Sequence, residues 1–146
     1  GATWASVALV EAAGIDLRDP KLGITKDGRM ILFMGGSVFK GSTLESRQPR
    51  VCTSTDGRHW SPPEKVLGEW DSLWRTMWHE GESKFYGTVY NTSPLTSKPK
   101  PEPEWSEKIF TSNDGKVWSL NAIWAIKGQP SEATTRLQSN GDMLAL

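Results

Sequence analysis

The sequence predicts an all-β protein made of β-propeller blades, each a small sheet of four antiparallel strands. Three observations predict this class. The 146 residues include 8 Trp, 14 Gly and 9 Pro, a mixture typical of short strands joined by tight turns, with Trp as packing anchors. A seven-residue turn pattern occurs twice, and Asp-Gly or Asn-Gly turns recur between apolar runs. Together they predict about two and a half blades.

The repeated pattern is Ser-x-Asp-Gly-x-x-Trp, at residues 54–60 and again 58 residues later at 112–118. In each copy Gly supplies the positive φ of a tight turn, and the Asp carboxylate accepts hydrogen bonds from backbone N–H groups of its own turn. The Trp ring then folds back beside the hairpin. We therefore assign structural roles to eight residues: Ser54, Asp56, Gly57, Trp60, Ser112, Asp114, Gly115 and Trp118.

The spacing of these patterns divides the whole chain, residues 1–146, into parts of one propeller segment. Residues 3–10 are expected to be the last strand of a preceding blade, and residues 17–67 a complete blade. Residues 73–126 form a second blade, which is longer because it carries a Pro-rich insertion that is incompatible with strand pairing. Residues 132–146 form the first two strands of a third.

Charge and cysteine content exclude several classes of protein. The 17 basic and 17 acidic residues balance, so electrostatics favour neither nucleic acid nor an anionic membrane as partner. The apolar runs are too short to span a bilayer. Cys52 is the sole cysteine, which excludes an internal disulfide. His79 and Glu80 lack further ligands nearby in sequence, so we expect no metal and no cofactor. The cellular compartment stays open.

The propeller arrangement predicts one shared site, because the first strand of each blade lines the axis. Arg18, Arg75 and Glu132 stand at comparable starts of three successive first strands. Their side chains are therefore expected to converge on an axial cavity. An arginine there can bind a carboxylate through two parallel hydrogen bonds. Trp74 or Trp78 can offer a flat face to a sugar ring.

Each of these residues also has a structural alternative. Arg18 can pair with Asp19 or with a backbone carbonyl, and Arg75 can serve packing alone. Glu132 can pair with an arginine across the axis. The Trp residues can belong to the core rather than to a ligand platform.

The repeated turns resemble the Asp-box, or bacterial neuraminidase (BNR) repeat, of sialidases and related propellers. Leu-Arg-Asp-Pro at 17–20 resembles the early Arg-x-Pro motif of that family. Pro-Ser-Glu-Ala-Thr at 130–134 resembles the segment that carries its catalytic glutamate. The resemblance implies a six-bladed fold. It also implies that Arg18, with Asp19 beside it, binds substrate and that Glu132 activates a tyrosine nucleophile.

The resemblance implies a retaining glycoside hydrolase that releases a terminal acidic sugar, with a tyrosine nucleophile and an aspartate acid/base. By comparison with the family, the tyrosine and further arginines would follow Leu146. The loop predicted at residues 35–49, between the second and third strands, is where the aspartate is expected, and it contains Glu45 but no Asp. We therefore expect binding of an acidic sugar with little or no sialidase activity from this chain alone. The alternatives are a non-catalytic glycan- or protein-binding or assembly module, or a different glycosidase on the same fold.

Two and a half blades would leave strand edges unpaired at both ends. Three explanations fit: a fragment of a longer protein, a short chain that self-associates, or an open monomer with capped edges. Two copies would supply four complete blades and two composite ones. A homodimer that completes a six-bladed ring is therefore one expectation, and a monomeric mass at micromolar concentration would contradict it.

Overall fold

The computed structural model of the chain describes residues 3–91, 107–124 and 131–146. Every regular element in these ranges is a β-strand, which confirms the predicted all-β class. The strands are β1 Asp16–Ile24, β2 Met30–Lys40, β3 Thr43–Arg47, β4 Arg50–Ser54, β5 Glu64–Lys65, β6 Asp71–His79, β7 Lys84–Asn91, β8 Glu107–Ser112, β9 Ser119–Trp124, β10 Thr135–Leu137 and β11 Met143–Ala145. No helix that could span a bilayer is present in the described ranges.

The strands form two antiparallel sheets and one hairpin. The first sheet has the order β1-β2-β4-β5, with β3 paired to the far end of β2. The second sheet has the order β6-β7-β8-β9, so each strand pairs with the next one along the chain. The remaining strands, β10 and β11, form the separate hairpin. The first sheet thus has one strand more than the four that the sequence predicts.

The extra strand corrects the expectation of a loop over residues 35–49. There β2 continues to Lys40, and a tight turn at Gly41, with φ of 60°, leads back into β3. Phe39 pairs with Leu44 across this hairpin. The apolar pair and the Gly turn both favour strand pairing, so the sequence contained a signal for β3 that the predicted loop did not take into account.

The core lies between the two sheets. Side chains that alternate along β2 meet those of β7, because one face of each strand points into the interface. The rings of Phe33 and Phe85 pack edge to face, with centroids 5.6 Å apart. The buried cluster comprises Ile31, Phe33, Val51, Val66, Leu73, Phe85 and Val89.

Turn 54–60, which follows β4, is closed by its own polar side chains. Asp56 Oδ1 accepts hydrogen bonds from the N–H groups two and three residues later, each at 2.8 Å. Ser54 Oγ accepts the N–H of Gly57 at 2.9 Å. The Trp60 ring folds back, and its Nε1 donates to the Gly57 carbonyl at 3.2 Å. Gly57 has φ of 70°.

Turn 112–118, which follows β8, repeats these four hydrogen bonds. Asp114 Oδ1 accepts two backbone N–H groups at 2.8 and 2.9 Å. Ser112 Oγ accepts the N–H of Gly115 at 2.8 Å, and Trp118 Nε1 donates to the Gly115 carbonyl at 2.9 Å. Gly115 has φ of 75°. The two turns are therefore one structural motif built twice.

Hydrogen bonds within each turn stabilise the ionised form of both carboxylates. The N–H of His59, the His59 ring and the N–H of Arg58 lower the pKa of Asp56, in that order of effect. For Asp114 burial opposes the shift, but the N–H groups of Val117 and Lys116 outweigh it, so its pKa is also lowered. Both turns are thus matched to a charged aspartate.

Several sequence predictions concern the ends of the described ranges. Residues 3–10 form no strand here, and Trp4 and Leu9 are 95% and 80% exposed. The predicted insertion lies almost entirely within residues 92–106, and the end predicted for the second blade lies within 125–130. Both stretches are outside the described residues.

Candidate functional site

The residues proposed from the sequence come from three parts of the chain that the fold brings together. β1 lies beside β6, and β6 lies beside β10. The segment before β10 is fixed to the second sheet, because Thr88 Oγ1 on β7 donates to the Ala133 carbonyl at 2.8 Å. The first strands of the three units are therefore neighbours, and Glu132 is held next to this contact.

Arg18 is already engaged with its own strand. Its guanidinium forms an ion pair with Asp16 and lies 5.6 Å from the centroid of the Phe39 ring. The hydrogen bond from Arg18 lowers the pKa of Asp16. The acidic partner of Arg18 is therefore Asp16, rather than the Asp19 that the sequence suggested.

Asp19 and Glu132 share an unusual backbone conformation. Their φ angles are 53° and 62°, in the left-handed region that side chains with a Cβ seldom adopt. Such a conformation costs about 1–2 kcal/mol in a residue other than glycine. Strained residues of this kind concentrate at functional sites.

Counted back from two matching hairpins, these two carboxylates occupy equivalent positions. The pairs Ile24 with Met30 and Leu137 with Met143 stand at the same place in their hairpins. Asp19 lies five residues before Ile24, and Glu132 lies five residues before Leu137. The equivalent of Glu132 in the first sheet is therefore Asp19, and not Arg18 as the sequence spacing suggested.

Lys21 is the site residue that the sequence analysis missed. Its Nζ lies 4.5 Å from the centroid of the Trp74 ring. Burial lowers the pKa of Lys21, and Arg75 adds to this effect, whereas Asp19 and Glu132 oppose it. All three charged residues thus lie close enough to act on the ammonium group. We call Asp19, Lys21, Trp74, Arg75 and Glu132 the first-strand cluster.

A comparison of strand positions could have found Lys21. The pair Trp78–Phe85 in the second sheet corresponds to Ile24–Met30 in the first, because Phe85 and Met30 both pair with the Ser that opens the following turn. Arg75 and Lys21 each lie three residues before the first member of that pair. Lys21 is therefore the counterpart of Arg75.

Trp74 is turned toward the cluster by an irregularity in β6. The pairing of β6 with β7 shifts between Leu73 and Arg75, so Trp74 stands at an extra position of the strand. Its ring packs against Tyr90, with centroids 6.4 Å apart at 61°. Burial raises the pKa of Tyr90, and the Glu132 carboxylate adds to the shift.

Arg75 and Trp78 have different surroundings. Arg75 is exposed, and its guanidinium makes no ion pair or hydrogen bond with any residue that the structure describes. The Trp78 ring packs against Phe85 at 4.8 Å, and its Nε1 donates to Glu80 at 2.8 Å. Trp78 thus packs on the core, so of the two Trp residues that the sequence suggested for the site, Trp74 is the one that contacts the cluster.

Glu107 is a buried acid beside the cluster. It is fully buried and pairs with Tyr90 across the β7–β8 ladder. Neither carboxylate oxygen has a hydrogen-bond partner in the described ranges. Burial raises the pKa of Glu107 to about 7, because the charged form is poorly solvated there.

The cluster combines groups that suit an acidic sugar. Lys21 and Arg75 supply positive charge, Trp74 supplies an aromatic face, and Asp19 and Glu132 supply acceptors for hydroxyl groups. In the described ranges no three His, Cys, Asp or Glu side chains gather as metal ligands would. Comparison with known proteins finds no protein-family model, curated protein or solved structure that matches the chain.

Proposed function

We propose that the first-strand cluster binds an acidic sugar and that the chain is a segment of a sialidase-like propeller. The observation that carries this proposal is the position of the Lys21 ammonium over the Trp74 ring, where the charges of Arg75, Asp19 and Glu132 also act on its pKa. The Lys21 ammonium covers one face of the Trp74 ring, so a sugar would contact the part of this half-buried ring that stays exposed, and its carboxylate would pair with a neighbouring cation.

Two features of the fold support the propeller. The two sheets pack face to face across the apolar core, and β1, β6 and β10 lie side by side. Blades packed around an axis bring their first strands together in this manner. The resemblance of both turns to the Asp-box agrees with this arrangement.

For catalysis, the resemblance supplies only Glu132 as a candidate base within this chain. A retaining sialidase also needs a nucleophile and an acid/base group on either side of the scissile bond. We therefore propose binding without turnover by the isolated chain. Release of the fluorophore from a fluorogenic sialoside by the pure protein would contradict this.

The proposal is tested by titrating the chain with the α-methyl glycoside of sialic acid and following backbone amide shifts by NMR. We expect saturable shifts on β1, β6 and the segment before β10. Trp74→Ala should weaken binding at least tenfold, because the stacking face is lost. Trp4→Ala is the matched control, since Trp4 is 95% exposed. Absence of saturable shifts in the wild-type chain would overturn the proposal.

One observation favours the alternative of an assembly module. Leu22 and Ile24, on the face of the first sheet that points away from the second, are 62% and 59% exposed. Exposed apolar strands of this kind often pack on another protein surface. A dimeric mass by light scattering at micromolar concentration, together with no sugar binding, would support assembly over glycan recognition. The same mass together with sugar binding would fit a homodimeric ring.

A further inference from the structure

We propose that Lys21, and not Arg18, binds the carboxylate of the sugar and thereby selects acidic over neutral ligands. The inference rests on the proposed function and identifies the residue that sets its specificity. The sequence motif did not indicate Lys21, because it pointed to Arg18, three residues earlier.

The surroundings of Lys21 suit an anion. Its ammonium has three donors, and none is used by a residue in the described ranges. It is half-buried over the Trp74 ring, so a carboxylate that reaches it meets a partly desolvated cation, where charge-assisted hydrogen bonds are stronger. The ammonium covers one face of the ring, so the carboxylate of a ligand reaches it from the side that points away from Trp74.

Two neighbouring carboxylates favour the cationic form of Lys21. Burial lowers its pKa, but the carboxylates of Asp19 and Glu132 act in the opposite direction. The two acids therefore help to preserve the charge that recognises the ligand. Arg75 adds positive potential on the same side, which compensates for the repulsion between these acids and an incoming carboxylate.

Arg18 is a poorer carboxylate receptor in this chain. Its guanidinium is paired with Asp16, two residues away on the same strand, and stacks on Phe39. A ligand would have to displace an acid tethered beside it, which has a high effective concentration. Its guanidinium is thus engaged in a direct ion pair, whereas the Lys21 ammonium forms none with a residue in the described ranges.

The test uses two ligands that differ only in charge: the α-methyl glycoside of sialic acid and its methyl ester. Binding of each is measured by NMR titration with wild type, Lys21→Met, Lys21→Arg and the control Lys65→Met, an exposed lysine on β5. We expect Lys21→Met to weaken binding of the acid about tenfold, as loss of a hydrogen bond to a charged group implies, and to leave the ester unchanged. Lys21→Arg should keep most of the affinity, and Lys65→Met should behave as wild type.

Three results would overturn the inference. Equal loss of acid and ester in Lys21→Met would show that Lys21 only supports Trp74. Loss of acid binding in Arg18→Met, with Lys21→Met unaffected, would assign the carboxylate to Arg18. Equal affinity of the wild-type chain for acid and ester would show that the site does not select by charge, although it binds the sugar. If the wild-type chain bound neither ligand, the proposed function itself would be refuted. Urea midpoints verify folding, and Lys21→Gln replaces Lys21→Met if that variant unfolds.

Discussion

The two sheets contain the same turn, but the turn has a different packing role in each. Turns 54–60 and 112–118 share their hydrogen bonds, yet only the second is inserted against the neighbouring sheet. A Cβ on Gly115 would lie 2.2 Å from Ile31 Cδ1, whereas one on Gly57 would meet the flexible end of Met30 at 3.1 Å. The comparison shows that local sequence sets the geometry of such a turn, while the adjacent sheet decides what the turn contributes to stability.

A second difference lies where β4 and β8 begin. Pro49 and Glu107 stand 58 residues apart, as the two turns do, and both are fully buried. Pro49 fills its place with apolar atoms, whereas Glu107 brings a carboxyl group without a hydrogen-bond partner in the described ranges. An unpaired buried acid is costly when ionised, so the second sheet carries a pH dependence that the first lacks at this position.

The largest effect should come from adding a methyl group at each turn glycine. Gly115→Ala should lower the free energy of unfolding by about 4 kcal/mol, because left-handed strain adds to overpacking against Ile31. Gly57→Ala should cost about 1–2 kcal/mol from strain alone. Urea denaturation followed by Trp fluorescence measures both. Equal losses in the two variants would refute the assigned difference in packing.

Glu107→Gln should have the next largest effect, and only at higher pH. The folded-state pKa of about 7 lies above the ordinary value, so the protonated carboxyl group is the form that the fold favours. The stability associated with this protonated form is complete below about pH 4.5 and is lost as pH rises through 7. At pH 8 the variant should be more stable than wild type by up to about 3 kcal/mol, with little difference at pH 4. Urea midpoints from pH 4 to 8 test this.

Glu45→Gln is the control for that series, because Glu45 on β3 is exposed. Its stability should follow the wild-type curve over the whole range of pH. If Glu107→Gln also follows the wild-type curve, the carboxyl group of Glu107 has a partner or solvent access that removes the cost of its ionisation.

The smallest effect concerns the ion pair that links the second turn to the first sheet. Lys116 Nζ lies 2.6 Å from Glu64 Oε1 on β5. Lys116→Met should lower stability by about 0.5 kcal/mol, a typical value for an exposed pair, and 1 M NaCl should abolish the difference. Arg58→Met is the matched control, since Arg58 holds the same place in turn 54–60 without an ion pair to any described residue. A larger loss in the control would contradict this role.

The sequence was informative wherever structure depends on neighbouring residues. The all-β class followed from the spacing of turns and apolar runs, and the bonds of each turn follow from Ser, Asp and Gly at fixed separations. The strand β3 was not predicted because the blade layout assigned residues 35–49 to a loop between the second and third strands. That assignment gave no weight to the Gly turn or to the apolar pair Phe39 and Leu44.

The candidate site was less predictable, because it depends on irregular strands. Counting residues from one turn to the next aligned Arg18 with Glu132, but β1 shifts its pairing between Arg18 and Lys21. Such a shift changes which side chain faces a neighbour. Lys21 therefore became visible only from the pairing of strands. The burial of Glu107 was hidden for another reason: it depends on the packing of distant segments around it.

The left-handed backbone at Asp19 and Glu132 has a consequence for any effort to raise the thermal stability of this protein. Glycine would relax both positions without disturbing the strands beside them, so a screen for heat resistance should reach them early. Such variants would lose the two negative charges that flank Lys21, so the pKa of its ammonium group would fall. Selection for thermal stability would therefore act against selectivity for acidic ligands.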